Sequence, residues 1–85
     1  MIVVMNQVVP GKIYMHHGGG RYTVLCVAEE STNARKGNNA FIVVYVSLTY
    51  GKIRCRDIAE FVEEVAWPDG AMRPRFVLEE ILKSL

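Results

Sequence analysis

Arginine and tyrosine side chains are the groups in this sequence best suited to bind an anionic, planar molecule. Arg54 and Arg56 are two residues apart in an alternating segment, so both should project from the same face of a strand. A guanidinium group pairs with carboxylate or phosphate through a planar set of donors, and a tyrosine ring offers a surface on which a flat ligand can stack. The ligand-binding residues predicted on this basis are Arg21, Arg54, Arg56, Tyr14, Tyr22, Tyr50, His17, Asn33 and Asn39.

The same arginines also admit a structural interpretation. Glu60, Glu63 and Glu64 follow shortly after them, and exposed ion pairs between a strand and a helix are common and energetically small. Arg56 could equally hold the start of the helix that is expected after it. The sequence leaves both interpretations open, capture of an anion or ion pairing within the chain.

Histidines and cysteines are present, but their spacing predicts neither a metal centre nor a catalytic nucleophile. His16 and His17 are adjacent, so on a strand they point to opposite faces. Cys26 and Cys55 lack the paired spacing of zinc sites, and no carboxylate stands at a recognisable offset from a Cys–His pair. The glycine run 18–20 lacks the lysine and the following helix of a phosphate-binding loop. We therefore expect a protein without catalytic activity, cofactor or metal.

Composition and charge narrow the class of partner. The formal net charge is +1, so no strong basic field favours nucleic acid or an acidic membrane surface. No apolar run approaches the roughly 18 residues that cross a membrane, and the first residues lack the pattern of a secretory signal. These features predict a cytoplasmic protein with reduced cysteines. The hydrophobic content of 51% is high for so short a chain and favours self-association into a homo-oligomer.

Alternating and continuous apolar segments predict an antiparallel sheet in residues 1–56. The expected strands cover residues 1–9, 12–17, 21–29, 40–48 and 52–56, with a glycine hairpin at 18–20 and a polar loop at 31–39. The run 40–48 is apolar at almost every position, which is typical of a strand buried on both faces. Alternation places Cys26 in the core and turns Ile53 and Cys55 inward.

The C-terminal part, residues 57–85, has helical spacing. Asp57 and Glu60 form an N-cap signature, and apolar residues recur at helical intervals over 57–66. Pro74 suits the first turn of a second helix. The result is one α+β domain, a small curved antiparallel sheet of four or five strands followed by one or two helices. Apolar residues beyond the needs of one helix face predict a subunit interface at Trp67, Phe76, Leu78 and Leu82.

A series of short motifs runs in order through residues 10–76. The motifs are Gly11-x-Ile13-Tyr14-x-His16-His17, Tyr22-x-Val24-Leu25, Val43-Val44-Tyr45, Tyr50-Gly51-Lys52-Ile53, Asp69-Gly70 and Pro74-Arg75-Phe76. Together they resemble a family of small bacterial and phage proteins classed as a domain of unknown function. The resemblance implies an SH3-like barrel. This sequence has Arg54 where the family usually has Trp and Asp57 where it usually has Pro.

A looser similarity, in the order and size of the elements alone, links the chain to phage proteins that block the Thoeris defence by sequestering cyclic nucleotide-derived signals. We therefore expect an oligomeric binding protein of phage or prophage type that captures a small anionic, nucleotide-like ligand where subunits meet. The alternative is an SH3-like adaptor that docks a host protein or peptide in a groove lined by the same tyrosines and Trp67. Nucleic-acid binding is the weakest option, because the charge is close to neutral.

Overall fold

The computed structural model describes residues 8–31 and 41–84, which form strands and short helices. The elements are β1 (Ile13–His16), β2 (Arg21–Glu29), β3 (Phe41–Ser47), β4 (Ile53–Asp57), α1 (Ile58–Phe61), β5 (Glu64–Ala66), β6 (Met72–Pro74), β7 (Phe76–Leu78) and α2 (Glu79–Lys83). The predicted strand at 1–9 and the predicted loop at 31–39 lie almost entirely outside the described residues.

The main sheet contains five of the described strands, in the order β4-β3-β2-β1-β7, and β5 and β6 form a separate two-stranded ribbon. Every neighbouring pair is antiparallel. The predicted small antiparallel sheet, followed by a short C-terminal helix, is confirmed. Within the described strands the sheet is open, because β4 and β7 lie at its two edges and do not pair with each other. Closure into an SH3-like barrel stays a prediction.

A tight glycine turn joins β1 to β2. The backbone N–H of His16 donates to the carbonyl oxygen of Gly20 at 2.9 Å, and Gly19 has a φ of +114°, which other residues rarely adopt. A Cβ atom added to Gly20 would lie 2.8 Å from the nearest ring atom of Tyr22, closer than packed atoms approach. The predicted hairpin is confirmed, and Gly20 is required because an aromatic ring covers it.

An aromatic cluster on one face of the main sheet, here called the inner face, forms the core. Phe61 of α1 stacks on Phe76 of β7 with ring centroids 4.1 Å apart. Tyr14 and Tyr45 meet Phe61 edge to face at centroid distances of 5.5 and 5.6 Å. All four rings are at most 2% exposed. Large aromatic side chains dominate the energetics of such cores. Ile58, Val62 and Ile81 pack around the cluster and extend its cover.

A β-bulge in β2 decides which side of the sheet Cys26 occupies. Val24 lies opposite Tyr45 on β3. Cys26 lies opposite Val44, so Leu25 between them has no partner. An extra residue reverses the alternation, because successive side chains of a strand point to opposite faces. Cys26 is therefore exposed, and its predicted place in the core is wrong.

The strand β4 presents the opposite face to the one predicted. Arg54 lies opposite the buried Tyr45, and Arg56 follows two residues later on the same side. Cross-strand partners share a face, so both arginines lie on the inner face. Ile53 is 65% exposed and Cys55 is exposed, which makes their predicted inward orientation wrong. Long arginine side chains can extend from an edge strand past the core into solvent, and this orientation uses that reach.

The predicted helix over 57–66 forms for one turn only. Its N-cap is confirmed, since the carboxylate of Asp57 accepts a hydrogen bond from the N–H of Ala59 at 3.1 Å. The helix α1 then ends at Phe61, and the residues that follow pair as β5 with β6 around a turn. The prediction from helical spacing is wrong here because the Pro-Asp-Gly turn brings two short segments together. The backbone hydrogen bonds between these segments compete with those of a longer helix.

The second helix is also shorter than predicted. Pro74 is the last residue of β6, and Arg75 joins it to β7. The Nε of Arg75 donates to the carbonyl oxygen of Glu60 at 2.9 Å. The backbone N–H of Arg75 donates to the carbonyl oxygen of Glu63 at 2.7 Å. Pairing with β1 holds β7 extended, so α2 begins only at Glu79. In the described part of the chain no helix is long and apolar enough to cross a membrane.

Most residues predicted to form a subunit interface are buried within the chain itself. Trp67 is 9% exposed, and its Nε1–H donates to the carbonyl oxygen of Pro74 at 3.0 Å. Phe76 and Leu78 belong to β7 and are 2% and 7% exposed. Leu82 in α2 is half-buried. The apolar residues that looked like a surplus in the sequence therefore complete the core of one chain.

Candidate functional site

Arg54 lies at the boundary of two shallow depressions beside the edge strand β4. The first, here called the cationic depression, has a volume of about 280 Å³ and is lined by Tyr22, Ser47, Tyr50, Lys52 and Arg54. The second, the mixed-charge depression, has a volume of about 640 Å³ and is lined by Tyr45, Ile53, Arg54, Cys55, Arg56, Asp57 and Glu60. Arg54 belongs to both linings, so its guanidinium group can serve a ligand in either.

The cationic depression has two positive charges and no carboxylate in its lining. Lys52 follows the turn after β3, and Arg54 projects from the inner face of β4. Neither side chain makes an ion pair or hydrogen bond with a residue of the described ranges. Hydrogen bonds from charged donors to an anion are roughly twice as strong as neutral ones. Both cations are thus free to bind an anionic group.

Two tyrosines border the cationic depression in different ways. Tyr22 is half-buried, and its ring meets Tyr45 and Phe76 edge to face, each at 5.5 Å. It is therefore a fixed wall that continues the aromatic core. Tyr50 lies in the turn between β3 and β4 and is 85% exposed. Its ring is accessible for stacking on a planar ligand.

Ser47 is a further polar group in the cationic depression that the sequence analysis did not select. The side chain is 8% exposed, and its Oγ accepts hydrogen bonds from the N–H groups of Thr49 and Tyr50 at 3.2 and 3.1 Å. A hydroxyl has two acceptor lone pairs and one hydrogen, so that hydrogen remains for a partner that none of the described residues supplies. The signal in the sequence was a polar residue at the end of an otherwise apolar strand.

Arg56, in contrast, is held by structural contacts. Its guanidinium carbon lies 5.7 Å from the ring centroid of Phe76, and its Nε donates to the Tyr45 hydroxyl at 3.4 Å. One guanidinium nitrogen is 3.9 Å from a carboxylate oxygen of Glu60. The structural interpretation therefore applies to Arg56, which makes an ion pair and core contacts. Arg54 makes neither with the described residues.

The structure does not bring Arg21 and Tyr14 to the cationic depression. Arg21 makes two hydrogen bonds to the carboxylate of Glu79, at 2.7 and 3.1 Å, and this partner raises the pKa of the guanidinium. It precedes Tyr22 on β2, so its side chain projects from the opposite face. Tyr14 is 1% exposed, its hydroxyl accepts the N–H of Val9 at 2.7 Å, and burial raises its pKa.

His16 is a half-buried, neutral group at the end of the core. Its Nδ1 accepts a hydrogen bond from the N–H of Gly18 at 2.9 Å, which leaves the proton of the neutral ring on Nε2. Partial burial lowers the pKa of His16 to about 4, with smaller contributions from His17, Arg56 and Arg75. At neutral pH this ring therefore carries no charge for an anion.

The remaining candidates lie away from the two depressions. The N–H of His17 donates to the carbonyl oxygen of Arg75 at 3.0 Å, and neither His17 nor Trp67 belongs to either lining. Asn33 and Asn39 lie outside the described residues. Within residues 8–31 and 41–84, no group of three His, Cys, Asp or Glu side chains could hold a metal ion.

Comparisons with known proteins agree with the motifs in the sequence. Neither a search of curated proteins nor a search of solved structures found a match. A family model described as "Protein of unknown function (DUF1653)" matches residues 12–78, which contain all seven described strands and the cationic depression. This match covers most of the 85 residues. The chain belongs to the DUF1653 family of proteins of unknown function.

Proposed function

We propose that this protein is a non-catalytic binding protein that captures a small, planar, nucleotide-like anion in the cationic depression. The observation that carries this proposal is a lining with no carboxylate in which two cations, Lys52 and Arg54, have no side-chain partner among the described residues. Arg54 and Arg56 lie on the same edge strand, yet of the two only Arg56 makes an ion pair with a described residue, Glu60 of α1. Lysine and arginine together suit a phosphate or carboxylate group.

The lining suggests how such a ligand is held. The phosphate group lies between Lys52 and Arg54, and the hydroxyl hydrogen of Ser47 completes its set of donors. The ring of the ligand stacks on the exposed face of Tyr50, while the fixed edge of Tyr22 limits how deep it enters. This combination of phosphate binding by cations and ring stacking on a tyrosine resembles the recognition of single-stranded nucleic acids, in which an aromatic ring and a cationic groove act together.

The size of the cationic depression favours a mononucleotide. Its volume of about 280 Å³ is just below the range of small-molecule sites, which runs from about 300 to 1,000 Å³. A larger cyclic nucleotide, of the kind that phage sponges sequester, needs contacts beyond those of this one depression. If the ligand is such a cyclic nucleotide, a second subunit or the neighbouring mixed-charge depression would supply these further contacts.

Isothermal titration calorimetry with AMP, a cyclic dinucleotide and inorganic phosphate tests the proposal. We expect heat of binding from at least one nucleotide and a loss of about tenfold or more in affinity for Arg54→Gln, because a charge-assisted pair is removed. Arg21→Gln is the matched control, since it removes the same charge from the opposite face and should leave affinity unchanged. No heat from any probe, with a folded protein verified by circular dichroism, rejects the proposal.

A further inference from the structure

The face of the main sheet opposite the aromatic core, here called the outer face, is almost free of charge over β2, β3 and β4. Cross-strand partners lie on the same face, so the pairing of these strands identifies its residues. They are Thr23, Cys26, Ala28, Ile42, Val44, Val46, Ile53, Cys55 and Asp57. None of them is buried in the described chain. Two charges of these strands lie on this face, both at its margins: Asp57 at the end of β4 caps α1, and Arg21 at the start of β2 is paired with Glu79.

The composition of β3 calls for burial on both faces, yet the described residues of one chain cover only one of them. Val43 and Tyr45 are 0% and 2% exposed on the inner face. On the outer face Ile42, Val44 and Val46 are only half-buried. An antiparallel sheet that leaves one face to water normally alternates apolar and polar residues. The outer positions of β3 are instead β-branched and apolar, so a covering surface is missing from the described chain.

We infer that the outer face of β2, β3 and β4 is the surface on which two copies of this protein pack against each other. In a two-fold symmetric contact the same patch meets itself, so any charge at its centre would face a like charge. Val44 is at the centre of the outer face, flanked by Cys26 on β2 and Cys55 on β4, and none of the three is charged. No like charges would therefore meet at the centre of such a contact.

The first described residues lie on the inner side of the sheet, which leaves the outer face open to a second copy. Val8 packs against the core cluster, and the N–H of Val9 donates to the hydroxyl of Tyr14, which is on the inner face. The described chain thus begins on the side of the sheet opposite to the outer face. A second copy can reach the outer face directly from solvent.

The dimensions of the outer face predict a weak dimer. Three strands of five to nine residues give a flat area of roughly 300 Å² per copy, from a strand spacing of about 4.8 Å and a rise of about 3.4 Å per residue. Stable complexes bury about 800 Å² per partner. Leu25 and Leu48, each 45% exposed, can add to the contact. We therefore expect a reversible dimer whose population rises with protein concentration.

Two thiols report directly on the outer face. Cys26 and Cys55 both lie opposite Val44, so they are separated by two strand spacings, about 10 Å. This distance is too long for a disulfide between them, which requires Cα atoms within about 7 Å. Both are exposed in the single chain and would be covered in the inferred dimer. Their rate of reaction with a thiol reagent therefore measures the coverage of the outer face.

Sedimentation equilibrium and thiol labelling of the full chain test the inference together. We expect monomer at about 1 μM and a rising dimer fraction towards about 100 μM, with thiol labelling slowed severalfold over the same range. Ile53→Lys places a charge on the outer face at a position that is already 65% exposed, so the monomer should still fold. It should abolish the dimer. Met72→Lys, at a 58% exposed position of β6, is the matched control and should leave the dimer intact.

Three results would overturn the inference. The first is a monomer at all concentrations with fast thiol labelling, which would mean that nothing covers the outer face. The second is a monomer with slow labelling, which would assign the cover to the chain itself. The third is a dimer that survives Ile53→Lys or is lost in Met72→Lys. None of these bears on mononucleotide binding, since the cationic depression lies on the inner face.

Discussion

Arg54 stands directly opposite Tyr45 across the β3–β4 pair, on the face of the sheet that carries the aromatic core. Tyr45 is 2% exposed, whereas Arg54 is exposed and makes no side-chain ion pair within the described ranges. The core therefore ends and the proposed ligand site begins within one cross-strand pair. Arg56, two residues along the same strand, is held against Phe76 and Glu60 instead. Substitution of the two arginines should separate their roles.

Arg54→Gln should leave stability almost unchanged while it weakens ligand binding. The side chain loses no partner among the described residues, and surface substitutions of this kind usually stay within about 0.5 kcal/mol of the wild type. Urea unfolding followed by circular dichroism measures the effect. A destabilisation above about 1 kcal/mol would show that Arg54 has a structural partner and would contradict its assignment as a ligand-binding residue.

Arg56→Gln should have the converse effect on unfolding. It removes the guanidinium group from above the ring of Phe76 and from the hydroxyl of Tyr45, in a side chain that is 29% exposed. We expect a loss of about 1 kcal/mol in the free energy of unfolding, from a cation–π contact and a weak hydrogen bond. Lys52→Gln is the control, because its side chain makes no such contact and should leave the unfolding midpoint in place.

Gly20→Ala should destabilise the hairpin between β1 and β2. The added Cβ would lie 2.8 Å from atoms of the Tyr22 ring, and that ring is fixed edge-on against Tyr45 and Phe76. Overpacking of this kind costs about 1–3 kcal/mol. Thermal unfolding should show a clear drop in Tm. Gly51→Asn is the comparison, since open space surrounds Gly51 and asparagine tolerates its φ of +68°, so its effect should be much smaller.

Local patterns in the sequence were sufficient for β1 to β4 of the main sheet, but not for β7 or for which side of each strand faces the core. The glycine run identified the hairpin, because few other residues can adopt that turn. The side occupied by Cys26 could not be predicted, since one unpaired residue in β2 reverses the alternation after it. In β4, hydrophobicity favoured Ile53 as the inward residue. An edge strand, however, lets an arginine leave the core, and this depends on the position of β4 in the sheet.

In the C-terminal part, the sequence did not predict the type of secondary structure. Spacing of apolar residues predicted helices over 57–66 and from Pro74, whereas Glu64–Ala66 and Phe76–Leu78 pair as short strands. The partner of β7 is β1, which is distant along the chain, so local spacing could not indicate that pairing. For the candidate site, the residue types around Arg54 were predictable. That Arg21 would be paired with Glu79 on the other face was not, because this contact joins residues 58 positions apart.

As the pH falls, the protein should lose stability through His16 before its carboxylates become protonated. The folded state lowers the pKa of His16 from 6.5 to about 4, chiefly through partial burial of a ring that packs 4.8 Å from Phe76. The unfolded state therefore takes up a proton first as the pH falls below 6.5. Stability is complete above that pH and is lost progressively between pH 6.5 and about 4. The pKa of Glu79 is lowered from 4.5, so its contribution to stability is complete above that pH and is lost only as the pH falls below it.

His16→Gln isolates this effect. Glutamine does not titrate, and its amide oxygen can accept a hydrogen bond in place of Nδ1. We expect the variant to be less stable than the wild type at pH 7.5, because the ring contact with Phe76 is lost. Its urea midpoint should nevertheless change less between pH 7 and pH 5 than that of the wild type. Equal pH slopes in the two proteins would mean that His16 is not the group that takes up the proton on unfolding, and that its contacts with Phe76 and Gly18 do not hold the ring neutral in the folded state.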